Sequence, residues 1–212
     1  MSNSRPQSLA EEIANSATHG VGLLLSLLAL PLLLTMAFAD GDRWKIVAAG
    51  VYGASLVLLY TTSTLYHAFT VPRLKEVLQR CDHSAIYLLI AGSYTPFLLG
   101  PLRGGWGWSL FGVIWGLALA GVTLKTVYGC RLPQLSTALY LAMGWLVIVA
   151  AVPLVHKVPG PGLGWLLAGG LCYTGGVVFY VLDSRMRYAH AVWHLFVLAG
   201  SAAHFVAILN YS

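Results

Sequence analysis

Seven long apolar runs, separated by short breaks that hold nearly all of the charge, leave this chain few ways to fold. The runs fall near residues 17–38, 44–68, 82–100, 106–124, 134–154, 162–182 and 189–209. About 20 predominantly apolar helical residues cross the hydrocarbon core of a bilayer, and each run approaches or exceeds that length. Barrel strands would be shorter and would alternate apolar with polar residues; these runs do not alternate. Only 9% of the residues are charged and 58% are hydrophobic, with a mean hydropathy of +0.76. A soluble domain carries about a quarter charged residues, so most of this exterior must meet lipid. The expectation is an all-α, polytopic bundle of seven transmembrane helices. A short segment over 1–16 precedes a membrane domain over 17–209, with no separate soluble domain. Ala37-Phe38-Ala39 resembles a signal-peptidase site, but the stretch before it is longer than the roughly 7–15 residues of an h-region and follows two glutamates. The first span is therefore expected to stay.

The breaks also set an orientation. Arg5, Arg73, Lys75, Arg80, Lys125, Arg131, Arg185 and Arg187 fall on the side of the N-terminus, against Arg43, Lys45, Arg103 and Lys157 opposite. By the positive-inside rule the N-terminus is cytoplasmic and the C-terminus external. Trp44, Trp106, Trp108 and Trp165 then fall at outer ends, where an indole keeps one edge wet. The net charge of +5 comes without a basic cluster, so nucleic acid is not an expected partner; the bilayer is. Cys81, Cys130 and Cys172 form no CxxC. They suggest neither a disulfide framework nor a cysteine-rich metal site and read as core residues. Pro31, Pro96 and Pro153 are expected to kink spans rather than to bound them.

On that scaffold five of the seven histidines share one depth, near the cytoplasmic face. His67 ends span 2, His83 follows Asp82 at the start of span 3, His190 and His194 begin span 7, and His19 follows Glu12 and Asn15 in span 1. Ionisable groups inside spans are expensive and face interior cavities. His190 and His194, at i and i+4, stand one turn apart on one helix face. That spacing suits two ligands of one zinc ion, and equally suits interhelical hydrogen bonding. His67 would supply a third nitrogen, leaving a fourth position open as in catalytic zinc sites. No glutamate lies between the two histidines, so Asp82 is the carboxylate placed to act as base. Its position at the start of a run fits an N-cap equally well. Ser63, one turn from His67, is placed to hydrogen-bond a water or an oxyanion. Glu12, Asn15 and His19 line one face at i, i+3 and i+7, placed to close the cavity from below. His204 reads as a packed polar group and His156 as a solvated loop residue, and Gly112-x-x-x-Gly116 permits close packing of spans without pointing to a dimer in a chain of 23 glycines.

Four pieces of sequence, taken together, resemble the bacterial hemolysin III family within the wider progestin and adipoQ receptor group. They are Glu12-x-x-Asn15-x-x-Thr18-His19, then Ser63-Thr64-Leu65-Tyr66-His67, then Asp82-His83-Ser84 running to Gly92-Ser93-Tyr94-Thr95-Pro96, and finally His190-x-x-x-His194. The resemblance implies a seven-helix fold with a cytoplasmic N-terminus, in the inner membrane of a bacterium. It also implies zinc on the three histidines that match here as His67, His190 and His194, with Asp82 reaching the metal through water.

Three functions compete. A zinc site that lowers the pKa of water to about 7 inside a membrane cavity suits hydrolysis of an amide or ester in a lipid, with Asp82 and Ser63 as catalytic groups; ceramidase-like relatives of the group support this by analogy. A pore or cytolysin should carry polar residues along its whole path, whereas here they gather at one end. A receptor with structural zinc would be expected to carry a signalling domain, and the polar cluster faces away from external ligands. The expected reading is a metal-dependent membrane hydrolase with a lipid substrate.

Overall fold

The computed structural model describes residues 5–212, and among these there are helices and turns but no strand. Chain order gives α1 (Leu9–Asp40), α2 (Arg43–Ala68), α3 (Pro72–Leu99), α4 (Gly105–Tyr128), α5 (Pro133–Gly144), α6 (Ala151–Lys157), α7 (Gly160–Leu182) and α8 (Ala189–Tyr211). A 3₁₀ segment over Trp145–Ala150 joins α5 to α6, and the three pieces run as one rod over Pro133–Lys157. Seven rods result. Six of them are long and apolar enough to cross a membrane.

The exception is α3, and the reason lies in what it touches. It packs against α2 on one side and α4 on the other, and buries Asp82, Ser93 and Thr95 within the bundle. A helix surrounded by protein has no need of an apolar surface all round. Its start also differs from expectation. The helix begins at Pro72 with Val71 as N-cap, so Asp82 lies well inside it, about three turns from the end. The N-cap reading of Asp82 is thereby excluded.

The bundle is arranged inside out. Leu24, Leu28, Phe38 and Val152 are more than half exposed, while Asn15, His19, Ser63, His67 and His194 are almost wholly buried. Water would favour the reverse; a lipid surround stabilises it. α1 packs between α2 and α8, and α7 packs along α8. The α1–α2 approach is close enough that a Cβ on Gly53 would collide with Leu30. Between these helices the chain turns at Gly41, in the left-handed region at φ 72, where glycine carries no Cβ penalty. Asp42 then caps α2, accepting from the Trp44 N–H at 2.8 Å and pairing with Arg103 at 2.8 Å. These two donors hold its carboxyl below the usual aspartate range.

Pro31 and Pro96 lie inside α1 and α3, as expected. Pro153 sits just past the 3₁₀ segment, where a regular helix would set its ring against the carbonyl of Val149, which contributes to the loss of regular helix there. The cysteines need correcting. All three are free, but Cys81 is exposed and Cys130 and Cys172 are half-buried, so none is a core residue. Lys125, read as a loop cation, is instead buried in the last turns of α4.

Candidate metal centre

The N-terminal third of α8 and the last turn of α2 meet at one end of the bundle. There His67, His190 and His194 offer ligand nitrogens that all lie within 4.8 Å of one another, a group able to hold a metal ion. The rings do not stack among themselves: their centroids stand 4.7–5.1 Å apart, with interplanar angles from 59° to 70°. Tilted rings at that spacing aim nitrogens at a common point rather than packing face to face.

Two of the three rings are held from behind by hydrogen bonds. Glu12 Oε2 accepts a hydrogen bond from His67 Nδ1 at 2.7 Å, and Glu12 Oε1 pairs with Lys75 at 2.8 Å. His194 Nδ1 donates to the Asn15 carbonyl at 3.1 Å, with Thr18 Oγ1 at 3.2 Å. His190 Nδ1 lies 3.3 Å from Asp183 Oδ2, although it is not aligned as a hydrogen bond. A carbonyl or carboxylate can only accept, so the Nδ1 atoms of His67 and His194 carry the protons and Nε2 is left with a lone pair. His67 Nε2 is buried with no protein partner. An orphaned imidazole nitrogen costs about 1–3 kcal/mol, and two further histidines beside it make a metal the natural partner. Histidines that bind metals almost always donate their other N–H to a carboxylate or carbonyl. The donor set fits a metal that prefers nitrogen ligands.

The residues proposed for the site from sequence gather near this point in different roles, whereas His204 and His156 lie apart from it. Ser63, Asp82, His190 and His194 wall one cavity of about 130 Å³, whose lining does not include His67. Asp82 is buried and stands outside the three-nitrogen cluster. His19 is not a fourth member. Its ring stacks on His194 at 3.5 Å and 12°, and its Nδ1 lies 2.6 Å from Ser63 Oγ. His83 also faces the cavity, but its Nδ1 lies 3.3 Å from Cys130 Sγ.

Sequence reasoning missed four supports. Glu11 is 2% exposed, pairs with Arg5, and accepts from the Tyr188 N–H at 3.0 Å. Tyr188 has φ 60, a conformation uncommon outside glycine, and it directly precedes α8; Glu11 therefore helps fix where His190 begins. Gln7 donates to Asp183 at 3.0 and 3.2 Å and accepts from Asn15 at 2.6 Å, lacing α1 to the α7–α8 turn. Ser8 and Glu11 form a capping box, and that Ser-x-x-Glu pattern was the readable signal. Nothing local in the sequence marks Gln7, Asp183 or the second role of Lys75.

Away from the histidines the cavity is mostly apolar and runs between α3, α5 and α7. A second cavity of about 180 Å³ shares Ser93, Tyr94, Gly144, Trp145, Gly170 and His204 with it. It continues past Leu98, Leu102, Leu163 and Leu166. Together they make a long space with a polar end and a greasy remainder.

Comparison with known proteins bears on this arrangement. The family described as Haemolysin-III related matches residues 7–205. The chain is 48% identical to the hemolysin-3 homolog of Bacillus subtilis, over 96% of this chain and 95% of that protein. It is 47% identical to hemolysin-3 of Bacillus cereus, over 97% and 93%. It is also 31% identical to the monocyte to macrophage differentiation factor of Homo sapiens, over 95% and 84%.

Proposed function

Because this chain belongs to the haemolysin III family, a multi-span membrane family, we propose that it is a zinc-dependent hydrolase of the bacterial cytoplasmic membrane, cleaving an amide or ester bond in a lipid. The observation that carries this reading is the meeting of three imidazoles with a cavity that has Asp82 and Ser63 beside them and apolar walls beyond. His67, His190 and His194 would hold the zinc, and their number matches catalytic rather than closed structural sites. When bound there, zinc supplies Lewis acidity and makes water a nucleophile near neutral pH.

The chain's own residues have the remaining tasks. Asp82 takes a proton from the attacking water and returns it to the departing amine or alcohol. Ser63 Oγ, 2.6 Å from His19 Nδ1, stands on the cavity wall as a hydrogen-bonding partner for the attacking water or for the oxygen of the carbonyl under attack. The apolar walls exclude water and hold the acyl chain. A lytic pore, which the name of the Bacillus cereus relative suggests, has less support, because the polar residues gather at one end of the bundle.

Replacing Asp82 with asparagine separates hydrolysis from metal retention. The amide keeps the shape but cannot take the proton. Purified protein given a panel of N-acyl and ester lipids should release fatty acid. Asp82→Asn should lower release by at least about 100-fold with zinc content maintained. Release that survives both the substitution and chelation would defeat the mechanism.

A further inference from the structure

The junction between the two cavities has a chemistry that bond cleavage does not require. It lies beside His204, ten residues beyond His194 on α8 and hence about 15 Å from it. Every donor there is already committed. The Ser93 hydroxyl donates to the Ile90 carbonyl at 2.8 Å. Tyr94 Oη lies 2.9 and 2.8 Å from the carbonyls of Met143 and Gly144, and accepts from the Val147 N–H at 2.8 Å. Trp145 Nε1 donates to Thr174 Oγ1 at 3.0 Å, and Thr174 donates in turn to the Gly170 carbonyl at 2.8 Å.

His204 is committed on one nitrogen only. Its Nδ1 lies 2.9 Å from the Gly200 carbonyl, so the proton sits on Nδ1. No acidic residue lines either cavity near it, and a charged ring would be left unpaired among apolar walls. The ring is therefore neutral, and Nε2, with no hydrogen bond among the described residues, is a bare acceptor. The ring is also held in place. Tyr173 covers it at 5.4 Å and 30°, and α7 carries Gly169 where any Cβ would collide with the Nδ1–Cε1 edge. A junction meant only for hydrocarbon would be better filled by leucine or phenylalanine, which leave no acceptor unsatisfied.

We propose that this junction is a recognition point for a hydroxyl group on the ligand's chain, so that the preferred ligand is a hydroxylated long acyl chain with its head at the three-histidine cluster. The hydroxyl donates to His204 Nε2, and Ser93 Oγ, whose own proton is committed, is a second acceptor lining the same junction. The inference rests on the reading that an acyl chain fills the cavity. It adds which chain: a site built to pair a ligand hydroxyl discriminates strongly against the chain that lacks one, because its own acceptor is then left unpaired.

The test uses full-length, zinc-loaded protein in lipid nanodiscs. Its probes are stearic acid, hydroxystearic acids substituted at successive positions along the chain, and the matching ketostearic acids. A ketone keeps the oxygen but can only accept. One hydroxy position should bind at least about tenfold tighter than its ketone, and the ketones no tighter than stearic acid. His204→Phe should make hydroxy and keto chains equal while leaving zinc content unchanged. His190→Ala should weaken all three together and preserve their ratio. Presenting each chain both as the free acid and as its N-acyl amide tells whether the ligand arrives free or within a lipid; the preference in either form supports the proposal. Equal binding of hydroxy and keto chains at every position overturns it, as does a preference that persists in His204→Phe. Failure of all three chains to bind overturns the acyl-chain reading and this inference with it.

Discussion

Glu12 shows how much a single carboxylate can organise. One oxygen orients His67 at 2.7 Å and the other is fixed by Lys75 at 2.8 Å, so the ring and its support are locked together across α1, α2 and α3. Glu12→Gln should therefore weaken zinc affinity by about 10–100-fold without unfolding the bundle. Competition against a chelator of known affinity, with circular dichroism as the fold control, measures it; an unchanged affinity would mean that His67 needs no support from Glu12. The sequence placed Glu12, Asn15 and His19 on one face of a helix but could not say what they meet. The structure divides them: Glu12 supports His67, the Asn15 carbonyl supports His194, and His19 stacks on His194. Periodicity reports a shared face, and only tertiary packing assigns a partner. Asp82 has the same lesson in another form. Its run of apolar neighbours begins where it stands, which made a cap plausible, yet the helix starts at Pro72 through a charged stretch that hydropathy does not read as part of a span.

At the level of elements, apolar length made the seven rods legible, because a membrane helix announces itself by composition. Their internal irregularity was less so. Pro153 marked a kink, but the 3₁₀ stretch from Trp145 to Ala150 depends on Tyr94 of α3, whose hydroxyl meets the backbone groups of Met143, Gly144 and Val147. No local rule couples those residues. α3 itself, the least apolar rod, is assigned a crossing because it lies between α2 and α4, both apolar enough to span. If all seven rods cross, the termini fall on opposite sides, and the Lys and Arg division, seven to four once the buried Lys125 is set aside, leads us to propose a cytoplasmic N-terminus. An alkaline phosphatase fused after Ser212 should be active outside the cell, and a fluorescent protein at the same place should be dark. A silent phosphatase with a bright fluorescent fusion would mean an even number of crossings or an inverted chain.

Across the whole molecule, an apolar exterior encloses a polar floor beneath an apolar chamber. The floor is assembled from both ends of the sequence, α1 and α2 on one side and α8 on the other, so the metal group exists only once the bundle has closed. Metal binding should then stabilise the fold, since the ion meets its three ligands only in the native state. The most direct measurement is metal content by mass spectrometry on purified protein and its single alanine variants. The account predicts about one zinc per chain in the natural sequence, in His156→Ala and in His204→Ala, and loss of zinc with a lowered melting temperature in His67→Ala, His190→Ala and His194→Ala. Full zinc occupancy in His190→Ala, or a natural protein that takes up no zinc when supplied with it, would contradict the account.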